Sequence, residues 1–150
     1  MITKGRLVMS GCLVLNDRNE VLLLYRKKHN HYETPGGKVH PKDCSNPLES
    51  SKEELAKTAE REFYEEIGGV KIGELKYFGN TDFTIPDGRL GVAHKFVTRL
   101  IEGEPRIKEP ELFEWFDWLQ LEKLEKFQLS PDLKILLPKL KKLIKTTNRI

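Results

Sequence analysis

Arg61-Glu62-Phe63-Tyr64-Glu65-Glu66-Ile67-Gly68-Gly69 is the stretch on which the fold turns. It closes a run of good helix formers that opens at Ser51-Lys52-Glu53-Glu54. That opening is a capping-box pattern: the Ser51 hydroxyl can accept an early backbone N–H while Glu54 reaches back. Gly68-Gly69 is the expected stop. At about 100° per residue, Leu55, Ala59, Phe63 and Ile67 form one apolar stripe. Glu62 and Glu66 border that stripe and Glu65 lies further round. An ordinary amphipathic helix turns its carboxylates away from the core, whereas two of these flank the buried side. Like charges three and four residues apart repel. A hard divalent cation offsets the repulsion, because it takes oxygen ligands and tolerates several carboxylates. Arg61, one turn before Glu65, can pair with it and hold it ionised. On the helix alone, a solvated Glu-rich end with an Arg–Glu pair is the simpler reading.

Outward from this helix the chain alternates β-runs with helices. Leu7 to Leu15 is an apolar run suited to a buried strand. Asn16-Asp17-Arg18-Asn19 signals a turn and Val21 to Tyr25 a second strand, so the two predict a hairpin with a longer loop. Pro35-Gly36-Gly37 allows a tight backbone turn, and His40 to Ser50 reads as loop. Beyond the helix, β-runs are expected at Ile72 to Phe78 and Gly91 to Ile101, split by the turn-rich Ile85-Pro86-Asp87-Gly88. Phe113 to Trp118 predicts another strand and Leu121 to Phe127 a short helix. Ser130-Pro131 opens a last helix, Ser as cap and Pro in the first turn. Pro138 should kink that helix or divide it into two pieces. The sum is an α/β fold, a mixed sheet flanked by helices, in one domain over residues 1–150.

Composition narrows the class. Apolar residues make up 38% and charged residues 33% of the 150, with a net charge of only +3. The chain is no polycation, and no stable nucleic-acid partner is expected. Lys139, Lys141, Lys142, Lys145 and Arg149 crowd the C-terminus, where a solvated helix face is the plain reading. Cys12 and Cys44 make neither a disulfide framework nor a zinc pattern, so a reducing compartment is expected. No apolar run reaches the ~18 residues of a membrane span, and no signal-peptide pattern is read. The expected place is the cytoplasm.

The combination of motifs is more specific than the helix. Arg61-Glu62-Phe63-Tyr64-Glu65-Glu66-Ile67-Gly68 resembles the core of the Nudix box, Arg-Glu-apolar-x-Glu-Glu-x-Gly, at every fixed position. Pro35-Gly36-Gly37-Lys38-Val39 resembles its Gly-Gly entry, and His40-Pro41-Lys42-Asp43 stands where the family usually has Glu-Pro-Gly-Glu. The departure is an insertion around Cys44 to Ser51, about ten residues, which costs little closure entropy in a surface loop. It leaves the first acid of the box open between Asp43, counted from Gly37, and Glu53, counted from Arg61.

The resemblance implies a MutT-like member with the Nudix α/β/α sandwich. It implies Mg²⁺, or Mn²⁺ in its place, held by Glu62 and Glu66, with Glu65 as third ligand or acting through water. Gly37 would bring its backbone carbonyl to the metal, a point suited to a residue without a side chain, and Arg61 would orient the carboxylates. The reaction implied is attack of water on phosphorus. The proton acceptor in this family often lies beyond the box. Glu109 and Glu111 are the candidates, with Glu114 behind them, in a Glu-Pro-Glu segment that resembles small Nudix enzymes.

Trp115, Phe116 and Trp118 are read as core, alternation putting Trp115 and Asp117 on one face and Phe116 and Trp118 on the other. His29, His31, His40 and His94 show no metal-ligand spacing, and Tyr32 and Glu33 are placed at the pocket mouth. The expected substrate is a small molecule, a nucleoside di- or triphosphate derivative. An isoprenoid or sugar diphosphate is the alternative within hydrolysis. A nucleotide-binding module without turnover is the alternative outside it, disfavoured by the intact Arg61, Glu62, Glu65 and Glu66. Dimers are common in the family, so a homodimer is allowed.

Overall fold

The strand-forming run after Gly5 becomes the spine of the structure, a computed structural model in which residues 1–147 are described. It is β2 (Arg6–Leu15), preceded by the short β1 (Ile2–Thr3) and followed by β3 (Glu20–Arg26), β4 (His31–Glu33) and β5 (Gly36–Lys38). Helix α1 spans Lys52–Glu66; β6 (Ile67–Ile72), β7 (Lys76–Thr84), β8 (Leu90–Ile107) and β9 (Trp115–Gln120) follow, and α2 is Pro131–Thr147. The sheet path runs β4-β3-β2-β8-β6; β1 and β5 pair with β2, β7 with β8 and β9 with β3. β2 and β8 are parallel, from Leu7 opposite Gly91 to Leu15 opposite Arg99, and the other pairings are antiparallel. The sheet is therefore mixed.

Alternation along β2 and β3 feeds two cores. Leu13, Leu15 and Leu23 pack with Leu133, Leu136, Leu137 and Leu140 of α2. Cys12, Val14, Leu22 and Leu24 pack with Leu55, Ala59 and Phe63 of α1. A strand buried on both faces reads as a continuous apolar run, which is why Leu7 to Leu15 does so. The result is the expected α/β/α sandwich. Among the described residues no helix is long and apolar enough to cross a membrane.

Several boundaries depart from the sequence reading. Helix α1 stops at Glu66, before Gly68-Gly69, because Ile67 is already extended and starts β6. Gly69 then sits in a β-bulge at φ +80°, where an added Cβ would collide with the Glu104 carbonyl. The run expected from Ile72 to Phe78 is two strands, broken between Ile72 and Lys76. β8 extends past Ile101 to Ile107, its polar second half pairing with β6. The aromatic strand begins at Trp115, while Phe113 is buried before it under the Arg26 guanidinium, 4.6 Å from the ring centroid. Leu121–Lys126 forms a 3-10 helix.

α2 is one helix through Pro138, not two pieces. Pro138 and Lys134, the residue one turn before it, are both exposed, so the carbonyl that proline leaves unpaired faces water. Ser130 does not cap α2 with its side chain: among the described residues its Oγ has no hydrogen-bond partner. In the basic stripe, Lys141 pairs with Glu125 and Lys139 lies over the Phe78 ring, whereas Arg149 falls outside the described residues.

Candidate active site

Glycine-to-glycine packing brings the entry loop onto α1. A Cβ on Gly36 would lie 2.7 Å from Gly11 Cα, and one on Gly11 would lie 2.5 Å from the Pro35 carbonyl oxygen. Only bare backbone allows that approach, and Cys12 N donates to Pro35 O at 3.0 Å across it. Ser10 Oγ, donating to Leu55 O at 2.7 Å, ties α1 to the same strand. Helix α1 itself is set by the predicted capping box: Glu54 N donates to Ser51 Oγ at 3.1 Å and Ser51 N to Glu54 Oε1 at 2.9 Å.

The last turns of α1 thus lie under Gly36-Gly37. Glu66 is 4% exposed, and its Oε1 accepts from Gly36 N at 2.9 Å. A Cβ on Gly37 would fall 2.6 and 2.7 Å from the two Glu62 carboxylate oxygens, so Glu62 occupies the space a side chain there would need. Arg61 Nη1 donates to Glu62 Oε1 at 3.2 Å and to Glu65 Oε1 at 3.3 Å. Glu65 faces solvent.

Burial dominates the electrostatics. It pushes the Glu66 carboxyl up to about 9, opposed by the Gly36 N–H and reinforced by Glu62, Glu33 and Glu109. Glu62 is also raised, by burial and by Glu65, with Arg61 opposing. Two carboxylates held where their charge is unfavourable are a fit for a hard cation. Among the described residues no three His, Cys, Asp or Glu side chains are gathered closely enough to hold a metal ion. Glu62 and Glu66 converge on the glycines, while Glu65 is drawn aside by Arg61.

Glu109 lies within electrostatic reach of Glu62 and Glu66, and burial, Glu111 and Glu65 raise its own pKa. Glu111 is exposed. Glu114 is engaged elsewhere: its Oε2 accepts from Lys27 N at 2.6 Å. Asp43 and Glu53 are both exposed, and among the described residues no hydrogen bond or ion pair joins either to Glu62, Glu65 or Glu66. Glu53 stands nine residues before Glu62, roughly half a turn round the helix and about 13 Å along its axis.

Sequence reasoning missed a cavity of about 300 Å³ that runs on from Gly36 and Gly37. Arg26 and Glu33 form an ion pair in its wall. Burial would raise the Glu33 carboxyl, but His31 and Arg26 outweigh it and hold the group below its usual range. His31 Nε2 is 3.8 Å from Glu33 Oε2, beyond hydrogen-bond distance. Further in, Lys95 Nζ pairs with Asp132 Oδ2 at 2.8 Å and donates to Thr34 Oγ1. Burial would raise Asp132 too; Lys95, with help from nearby Ser130, keeps it low. The signal available in sequence was weak: Lys95 interrupts an otherwise apolar strand pattern.

Of the pair placed at the pocket mouth, Glu33 lines the cavity and Tyr32 does not. Tyr32 turns into the α2-side core and donates to Asp117 Oδ2 at 2.5 Å, while Trp115 Nε1 donates to Tyr32 at 3.1 Å. Trp115 and Asp117 therefore share a face, and Phe116 and Trp118 pack on the other. Trp115 is not core: it is 44% exposed and stacks on Tyr25 at 4.2 Å.

Comparison with known proteins agrees with this geometry. The model of the NUDIX domain matches residues 5–140. The MutT protein from Methanosarcina mazei Go1 superposes with a TM-score of 0.72 at 22% identity, covering 97% of this chain and 100% of that one. An Ap4A hydrolase from C. elegans gives 0.67 at 18% identity, over 93% and 98%. The NUDIX domain of Shewanella oneidensis NrtR, in complex with ADP ribose, gives 0.68 at 16% identity, over 94% and 90%. No curated protein matches the chain. At these identities the superpositions speak for the fold; the domain match, over most of the length and across the Arg61–Gly68 motif, speaks for the family. The chain belongs to the Nudix family.

Proposed function

We propose that the chain hydrolyses a diphosphate linkage in a nucleoside di- or triphosphate derivative, using Mg²⁺ or, in its place, Mn²⁺. The observation that carries this reading is the convergence of Glu62 and Glu66 on Gly36-Gly37. Glu62, Glu66 and the Gly37 carbonyl would hold the metal, with Glu65 joining directly or through water. When bound, the cation lowers the pKa of water and neutralises phosphate charge. Arg61 pairs with the Glu62 and Glu65 carboxylates and aims them. Glu109, raised above its ordinary range and close to the carboxylate pair, is the preferred group to take the proton from the attacking water; Glu111 is the second candidate. The substrate is a small molecule; the family resemblance allows a homodimer, and the cysteine usage favours the cytoplasm.

The test is incubation with Mg²⁺ and a panel of nucleoside triphosphates, ADP-ribose, dinucleoside polyphosphates, sugar nucleotides and isoprenoid diphosphates, with detection of released phosphate or diphosphate. Turnover of at least one nucleotide that stops on chelation supports the reading. Turnover confined to isoprenoid diphosphates moves the substrate class, and turnover of nothing moves the chain to a binding module.

A further inference from the structure

Helix α1 ends abruptly. Ile67 N makes its last bond, to Phe63 O, and Ile67 then enters β6. The carbonyls of Tyr64, Glu65 and Glu66 are left without an N–H of the same helix. The last turn carries Glu65 and Glu66 and no basic residue, so its own side chains do not offset the negative end of the helix. Lys108 serves both needs from across the β6–β8 pairing. Ile107 stands opposite Ile67, which brings Lys108 level with Glu66. Lys108 Nζ donates to Tyr64 O at 2.8 Å, and its backbone N donates to Glu66 O at 2.9 Å. One residue thus takes two of the last carbonyls and sets a cation at the end of the helix.

The Lys108 stem reaches Tyr64 by crossing Gly68. A Cβ on Gly68 would lie 3.2 Å from Lys108 Cγ and Cδ and 3.0 Å from Arg106 Nε. Gly68 is not among the glycines at positive φ, so space and not backbone conformation calls for glycine there. The residue that follows the clasp is Glu109. Its carbonyl accepts from Leu112 N and Phe113 N, each at 3.0 Å, and Phe113 is buried under the Arg26 guanidinium. Glu109 is therefore pinned on both sides, to α1 through Lys108 and to β3 through Phe113 and Arg26. Its carboxyl is held within electrostatic reach of Glu62 and Glu66.

We propose that Lys108 is a positioning residue for the hydrolysis: by clasping the end of α1 it fixes Glu109, the preferred proton acceptor, against the Glu62–Glu66 pair. Gly68 is bare so that the Lys108 stem can cross it. This inference rests on the hydrolase reading above.

The experiment measures kcat and KM of the wild type, K108M, K108R and K108A in Mg²⁺ on the best substrate of the panel. Lys108 is exposed, so each variant should fold. K108M keeps the stem and loses the donor. Its kcat should fall about tenfold, the scale of a displaced reacting group, with KM within about twofold of the wild type. K108R, which still donates, should recover most of kcat. Gly68→Ala tests the crossing: kcat should fall about threefold in the wild type and no further in K108A, where no stem crosses. Amide hydrogen exchange reads the clasp without turnover. The N–H of residue 108, bonded to Glu66 O, should exchange about threefold faster or more in K108M. Unchanged kcat in K108M, a loss carried by KM, no recovery in K108R, or additive losses for Gly68→Ala and K108A would overturn the proposal. Faster exchange in K108M, with a wild type that turns over nothing, would sink the hydrolase reading and leave the clasp standing. Unchanged exchange in K108M, with an active wild type, would sink the clasp alone.

Discussion

Glu66 Oε1 accepts a 2.9 Å hydrogen bond from the backbone N–H of Gly36, thirty residues earlier in the chain. One contact thus joins the helix of the motif to its glycine entry. In Glu66→Gln the amide oxygen can keep that bond while the charge is lost. The variant should stay folded, with an unchanged circular dichroism spectrum, and lose turnover by about 100-fold or more, the scale of removing a few kcal/mol of charge stabilisation. A rate near wild type in steady-state assays would refute the metal-site assignment.

Adjacent glycines should fail differently. In Gly36→Ala the new methyl meets Gly11 Cα at 2.7 Å and Ser10 O at 2.8 Å, both backbone. That change should destabilise the protein by about 1–3 kcal/mol, as overpacking does. In Gly37→Ala the atoms nearest the methyl are those of the Glu62 carboxylate, which can swing away. Stability should fall by less than about 1 kcal/mol, but activity should drop at least tenfold because Glu62 is displaced. Denaturant melts paired with rate measurements separate the two outcomes.

Protonation of Glu66 links stability to pH. Its folded pKa is about 9 against an ordinary 4.5, so the folded state keeps a proton that the unfolded state releases. Through this group, metal-free stability is full below about pH 4.5 and falls as pH rises towards 9. A cation bound to the ionised carboxylate competes with that proton. Saturating Mg²⁺ should therefore raise Tm by about 5 °C at pH 8 and far less at pH 5. An equal gain at both values in thermal scans, or a larger one at pH 5, would count against a buried Glu66 as ligand.

Loss of the α1 cap should be a pure stability effect. Ser51→Ala removes the acceptor for Glu54 N, far from the last turn of the helix. The expected cost is about 1 kcal/mol, a Tm decrease of about 2–4 °C, with kcat unchanged. Because Ser51 and Glu54 share one motif, the double variant with Glu54→Ala should cost less than the sum of the singles.

The helix and its motif were legible because their signals are local: a cap at Ser51, an apolar stripe through Phe63, and carboxylates beside it. The buried run in β2 was legible for the same reason. The lengths of β7 and β8 were not, since strand ends such as Glu102–Ile107 are polar and exist by pairing with β6. The cavity was hidden more deeply. Lys95 and Asp132 are charged residues whose burial comes from pairing with each other across the fold. Ser130 looked like a helix cap, yet its hydroxyl turns to the cavity wall instead. The same limit left Asp43 and Glu53 undecided, because helix periodicity fixes Glu53 relative to Glu62 and says nothing of a loop residue.

Metal binding by the Glu62–Glu66 pair is the centre of the account, and titration with Mn²⁺ followed by electron paramagnetic resonance reads it without any substrate. Wild-type protein is predicted to take up Mn²⁺ saturably and to release it to excess Mg²⁺, with Glu62→Gln and Glu66→Gln each weakening uptake at least tenfold. Uptake equal to wild type in both variants would contradict the account.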